Sequence, residues 1–97
     1  MIAVLYQWRY VASKETQFAE AWTIITDQLK RQGSSGSALF DGPDGTVFAI
    51  ARWPDIETRK ASSAQRADPE HYQLMIDAIA EEYHEHILHE RLNLWLP

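Results

Sequence analysis

His71 is the residue of this chain best suited to moving a proton, because an imidazole titrates near neutrality and can take a proton from an activated carbon acid. It lies in the run Asp68-Pro69-Glu70-His71-Tyr72. Gln7 and Arg9 are alternate residues of the N-terminal stretch Ile2-Ala3-Val4-Leu5-Tyr6-Gln7-Trp8-Arg9-Tyr10, so on a strand they share a side. If that side looks toward helices, an amide and a guanidinium there can hold a phenolate or carboxylate oxygen. Trp22, Trp53, Tyr72 and Tyr83 supply rings for a ligand pocket, a kind of site that is mostly apolar with few polar anchors. Each group also has a plainer reading. Rings at helical spacing pack in cores, Arg9 near a strand end reaches water, Gln7 pairs with backbone, and a first-turn histidine faces solvent beside the positive end of the dipole.

The run His84-Glu85-His86-Ile87-Leu88-His89-Glu90 carries three metal-ligating imidazoles. On a strand His84 and His86 share a side and His89 does not, and on a helix only His86 and His89 are suitably spaced. No regular conformation gathers all three, so the segment reads as a solvated acidic junction and no metal site is expected.

The elements that must hold these groups belong to one small domain, residues 1–97, since 97 residues make a single core. A hydrophobic fraction of 45%, with four Trp, four Tyr and three Phe, is ample for packing and excludes intrinsic disorder. The absence of cysteine excludes a disulfide scaffold, Cys-ligated zinc and thiol catalysis. Fourteen acidic residues against nine basic ones give a net charge of −5, the wrong sign for a phosphate-binding surface, so no nucleic acid is expected. No long apolar run and no signal-like leader is visible, which predicts a cytoplasmic chain with no membrane partner.

Alternation over Ile2–Val11 predicts a strand with Ile2, Val4, Tyr6, Trp8 and Tyr10 on one face. Ser13 reads as the cap of a helix over Lys14–Gln32, whose stripe is Phe18, Ala21, Trp22, Ile25 and Leu29. Ala38–Phe40 and Thr46–Trp53 flank the turn Asp41-Gly42-Pro43-Asp44-Gly45 and make a hairpin. Asp55 caps a short helix over Ile56–Ala64, polar enough to lie on the surface. Asp68 and Pro69 then open a second long helix through Tyr72, Met75, Ile76, Ile79 and Tyr83, ending near His84, and Ile87–Leu96 reads as the last strand. The order is βαββαβ.

That order folds most simply as a four-stranded antiparallel sheet with two long helices on one face, an α+β ferredoxin-like arrangement. The other face stays open although both faces of the first and third strands are largely apolar. A second copy related by a two-fold axis is the expected cover. Burying about 800 Å² per chain at ~25 cal/mol per Å² is a gross gain of about 20 kcal/mol before association costs.

The opening strand, the helix through Phe18 and Trp22, the run Ala49-Ile50-Ala51-Arg52-Trp53-Pro54-Asp55 and the Asp68-Pro69-Glu70-His71-Tyr72 helix start together resemble the antibiotic biosynthesis monooxygenase domain family. The resemblance spans nearly the whole chain. It implies a dimeric α+β barrel, in which ferredoxin-like protomers meet sheet to sheet as a homodimer. It also implies a cofactor-independent oxygenase of a small aromatic, polyketide-like or quinol substrate. Haem-degrading relatives carry an Asn on the first strand and a Trp in the helix after the third. This chain has Gln7 and an aromatic-free Ile56–Gln65, so no haem or other cofactor is expected.

Two other classes compete. A non-catalytic dimeric module of the same fold would use the pocket only to bind a small apolar ligand. An RNA-recognition domain shares the element order, with Tyr6 and Phe48 as stacking rings, but Gly45-Thr46-Val47-Phe48-Ala49-Ile50 lacks the basic Gly-aromatic signature.

Overall fold

The alternating N-terminal segment forms strand β1 (Ile2–Tyr10), which lies inside the sheet in this computed structural model describing residues 1–65 and 68–96. Helix α1 (Glu15–Lys30), strand β2 (Ser37–Asp41), a 3-10 turn at Pro43–Gly45 and strand β3 (Thr46–Trp53) follow. Helices α2 (Ile56–Ala64) and α3 (Pro69–Asp77) come next, then strands β4 (Ile79–Glu82) and β5 (His86–His89). All ladders are antiparallel in the order β2-β3-β1-β4, with β5 also on β1. Because β3 occupies one side of β1 from Ile2 to Arg9, β4 and β5 share the other side, one after the other.

Local chemistry sets the helix ends. The Asp55 carboxylate accepts from the Thr58 N–H at 2.7 Å and Asp68 accepts from the His71 N–H at 3.0 Å, each satisfying an orphan donor of the first turn. Ser13 does not cap α1. It adopts a left-handed φ of 66°, and α1 begins after Lys14 without a side-chain cap. Gly33 closes α1 with φ 103°, and a Cβ there would stand 2.6 Å from Thr58 Cγ2, so glycine both turns the chain and lets α2 approach.

The even residues of β1 face the helices. Val4 and Phe18 are fully buried, and Trp8 packs with Phe18, Ala21, Val47, Ala49, Met75 and Ala78. Tyr6 stacks on Trp8 with centroids 4.9 Å apart, and Trp8 meets Phe18 at 5.2 Å and Trp22 at 5.3 Å. The odd residues Ala3, Leu5, Gln7 and Arg9 point to the opposite face, where the ladder sets Ile50 across from Leu5, Phe48 across from Gln7 and Leu88 across from Ala3. Among the described residues no helix covers that face.

Several expectations are corrected. The antiparallel sheet keeps four positions in the ferredoxin-like order β2-β3-β1-β4, with β5 sharing the outer position beside β4, but the described residues form three helices rather than two long ones. The expected α+β barrel is absent: β2 and the β4/β5 pair are opposite edges that do not meet, so the sheet is open. The second long helix stops at Asp77, because Ala78 caps it and its carbonyl accepts from the Val11 N–H at 2.8 Å. Extending it would have put Glu81 and Glu82 at the negative end of the helix dipole, an unfavourable place for carboxylates. Instead Ile79–Glu82 pairs with β1. The last strand ends at His89, short of the expected Leu96: His89 stands opposite Ile2 and the Glu90 N–H donates to the Met1 carbonyl at 3.2 Å. Among the described residues no helix is long and apolar enough to cross a membrane.

Candidate functional site

The helix-facing side of the sheet does not close fully onto the three helices, and a cavity of about 490 Å³ remains between them. Its size suits a drug-sized ligand. Tyr6 and Trp8 of β1 and Trp22 of α1 form an aromatic wall, continued by Ile25 and Leu29 of α1 and by Met75 and Ile76 of α3. Trp53 closes the β3 side and also packs against Ile2 and Val4. Tyr72 of α3 and Tyr83 complete the aromatic lining. Tyr83 and Glu85 reach the cavity because residues 83–85 stand opposite only Tyr6 and Gln7, a bulge that interrupts the outer strand between β4 and β5.

Polar lining groups are tied to one another. Trp22 Nε1 donates to Ser37 Oγ at 2.9 Å, Thr26 Oγ1 lies 3.1 Å from the same oxygen, and the buried Ser62 hydroxyl donates to Gln32 Oε1 at 2.6 Å. Arg59 Nη2 of α2 donates to Tyr6 Oη at 3.3 Å and lies 3.5 Å from Glu85 Oε1. Burial pushes the Tyr6 phenol above its ordinary pKa, against the opposing pull of Arg59, so it is a neutral hydroxyl at physiological pH. For Arg59, burial alone would lower the pKa, but Tyr6 and Glu85 outweigh it and hold the guanidinium charged.

Asp68 anchors the other end. Its Oδ2 accepts from Gln28 Nε2 at 2.7 Å and lies 2.7 Å from His71 Nδ1. These bonds, led by the His71 N–H and then Gln28, hold its carboxyl below the usual range, and the Thr58 hydrogen bonds do the same for Asp55. A carboxyl with a depressed folded pKa contributes stability that is complete above its unfolded value, about 3.9, and is lost as pH falls through the folded value. Asp68→Asn keeps a capping oxygen but cannot ionise. Its Tm should therefore lie below that of the wild type at neutral pH, and the gap should narrow below about pH 4. A calorimetric gap unchanged from pH 7 to pH 2 would contradict this account.

The structure gathers Trp22, Trp53, Tyr72 and Tyr83 on the cavity and separates the other three candidates from them. Gln7 and Arg9 lie on the open face, the reverse of the orientation that would bring them to the ligand, since the larger even residues of β1 take the buried side. Gln7 accepts from the Tyr83 N–H through its backbone carbonyl at 3.1 Å, and Arg9 donates to the Asp44 carbonyl and lies 4.0 Å from Glu81. His71 is bonded to lining Asp68 and adjoins lining Tyr72 but is not itself on the wall. Arg59, Asp68, Gln28 and Glu85 were missed as site residues. α2 reads as a polar surface helix, yet Ile56, Arg59 and Ser63 recur at helical spacing on one face, and Ile56 packs on the Ile2–Val4–Trp53 core. That stripe was the available signal.

No family model and no curated protein sequence matches the chain. Solved structures do share its fold. SnoaB, a cofactor-independent oxygenase from Streptomyces nogalater, superposes with a TM-score of 0.80 over 96% of this chain and 95% of its own, at 16% identity. A protein provisionally named an antibiotic biosynthesis monooxygenase, from Chloroflexus aurantiacus J-10-fl, gives 0.81 over 99% and 98%, at 11% identity. A further antibiotic biosynthesis monooxygenase gives 0.71 over 96% and 100%, at 13% identity. The chain has the fold of these proteins.

Proposed function

We infer that the chain is an antibiotic biosynthesis monooxygenase-like oxidoreductase that oxygenates an aromatic, polyketide-like or quinol substrate without a cofactor. The observation that carries this reading is the aromatic-walled cavity of about 490 Å³, set in a fold shared with a cofactor-independent oxygenase. In such a reaction the substrate supplies the electrons. Loss of a proton from an activated CH₂ gives a carbanion that reduces dioxygen, one oxygen atom stays as the product carbonyl, and the other leaves as water. The protein supplies orientation, exclusion of water and proton transfer. Trp22, Trp53, Tyr72 and Tyr83 hold the rings of the substrate. His71, with Nδ1 on Asp68 and its ring behind the wall, would take the proton on Nε2 through one intervening water at the α3 end.

Oxygen uptake with anthrone tests this. The wild type should consume oxygen, and His71→Ala should lower the rate about a hundredfold, the usual worth of a general base. Equal rates in the two proteins would remove His71 from the mechanism. One observation favours a second reading, a non-catalytic binding module: His71 does not reach the cavity wall. Anthrone binding without oxygen uptake would select it.

The chain also works as a homodimer through the open sheet face. Phe40 and Leu88 are about half exposed there, at 50% and 47%, beside Leu5, Phe48 and Ile50. Leu92, Leu94, Trp95 and Leu96 project beyond β5 and are 73% exposed or more. An apolar surface of this kind calls for a protein cover.

A further inference from the structure

Arg59 is the only lysine or arginine among the described residues lining the cavity, and its hydrogen-bonding capacity is under-used. A guanidinium has five N–H donors, and charge-assisted contacts normally lie at about 2.7–2.9 Å. Its two contacts here, both from Nη2, are 3.3 Å to Tyr6 Oη and 3.5 Å to Glu85 Oε1. Glu85 is a loose partner whose side chain is 48% exposed. Tyr6 Oη accepts from Arg59, which leaves its own hydrogen to be donated elsewhere, and Tyr6 stands on the cavity wall beside the Trp8 and Trp22 rings. The remaining lining carboxylates differ in availability. Asp68 is engaged by Gln28 and His71, and Glu82 lies on β4 opposite Trp8.

We propose that Tyr6 Oη–H and the Arg59 guanidinium form the subsite for an ionised oxygen, a phenolate, enolate or carboxylate, of a flat aromatic ligand whose rings lie against Trp8 and Trp22. Glu85 is the internal stand-in for that oxygen and yields its place when the ligand enters. The pair supplies two donors to a single oxygen, and the neutral state of Tyr6 keeps its proton available for that bond. The subsite deepens the oxygenase reading and rests on it only for the identity of the cavity, because a phenolate or enolate is the form in which such a substrate gives up electrons.

The test is titration calorimetry with two probes of similar shape, anthracene-9-carboxylate and anthracene-9-methanol. The wild type should bind the carboxylate about tenfold or more tightly than the alcohol, as a hydrogen bond to a charged group is worth. Arg59→Gln should bring the ratio to near one while leaving the affinity for the alcohol within about threefold. Glu85→Gln should raise the affinity for the carboxylate, since it removes the competing anion, and this variant changes an exposed side chain that does not endanger the fold. Equal affinities in the wild type, or a preference that survives in Arg59→Gln, would overturn the subsite. Oxygen uptake separates the two ideas. Preference for the carboxylate without uptake of oxygen from anthrone removes the oxygenase reading and keeps the subsite, whereas uptake with equal probe affinities does the reverse.

Discussion

Trp8→Glu should unfold the chain. Trp8 is only 6% exposed, and its ring touches Tyr6, Phe18 and Trp22 in the centre of the aromatic core. Truncating a buried aromatic costs about 3–5 kcal/mol, and a carboxylate left there adds a desolvation penalty or a pKa rise of comparable weight. A small domain has about 5–15 kcal/mol of stability, so the sum consumes most or all of it. The measurement is calorimetric melting of wild type and variant side by side. A variant that melts cooperatively within a few degrees of the wild type would show that Trp8 is not in the core.

The opposite face should respond to the same chemistry in the opposite way. Ile50 lies on β3 between Leu5 of β1 and Ala38 of β2, on the side without helices. A glutamate there is wetted in a free protomer and costs the fold little. In the proposed dimer it would be desolvated without a partner, and through the two-fold axis the loss is incurred by both copies. Ile50→Glu should therefore keep the wild-type melting profile at low concentration while shifting sedimentation equilibrium at micromolar concentration from dimer to monomer. A wild-type chain that is monomeric at that concentration would end the homodimer proposal, and a variant that remains dimeric would move the interface elsewhere.

The contrast between Trp8 and Ile50 also shows how far the sequence could be read. Period-two alternation in Ile2–Tyr10 fixes two faces but does not state which one meets helices, because Leu5 and Ile50 on one side are as apolar as Val4 and Val47 on the other. The deciding quantity is volume. Trp8, Tyr6 and Tyr10 interlock with Phe18 and Trp22, and only the even face offers rings large enough to fill the space under α1. Capping was legible at Asp55 and Asp68, where side chain and backbone act within one turn. The ending of the second long helix was not, since Ile79 and Tyr83 satisfy helical spacing while their backbone is claimed by β1, a partner some 70 residues away in sequence. The same holds for the site. Aromatic residues declared themselves by type, and Trp22, Trp53, Tyr72 and Tyr83 do lie together on the cavity. Arg59 and Glu85 become neighbours only through α2 lying over the bulge after β4, which no local pattern encodes.

The packing of rings around Trp8 has an optical consequence. Tyr6, Trp8, Phe18 and Trp22 stand with centroids 4.9 to 6.0 Å apart at fixed and mostly inclined planes, close enough for their electronic transitions to couple. Chirally disposed chromophores at such range give near-ultraviolet circular dichroism stronger than isolated rings would. Trp8, Trp22 and Trp53 border the cavity, while Trp95 lies away from it on the segment beyond β5. The molecule thus carries its own gauge of occupancy: a flat aromatic guest quenches or shifts the emission of the enclosed indoles and perturbs the coupled bands, against a constant background from Trp95, with no label attached.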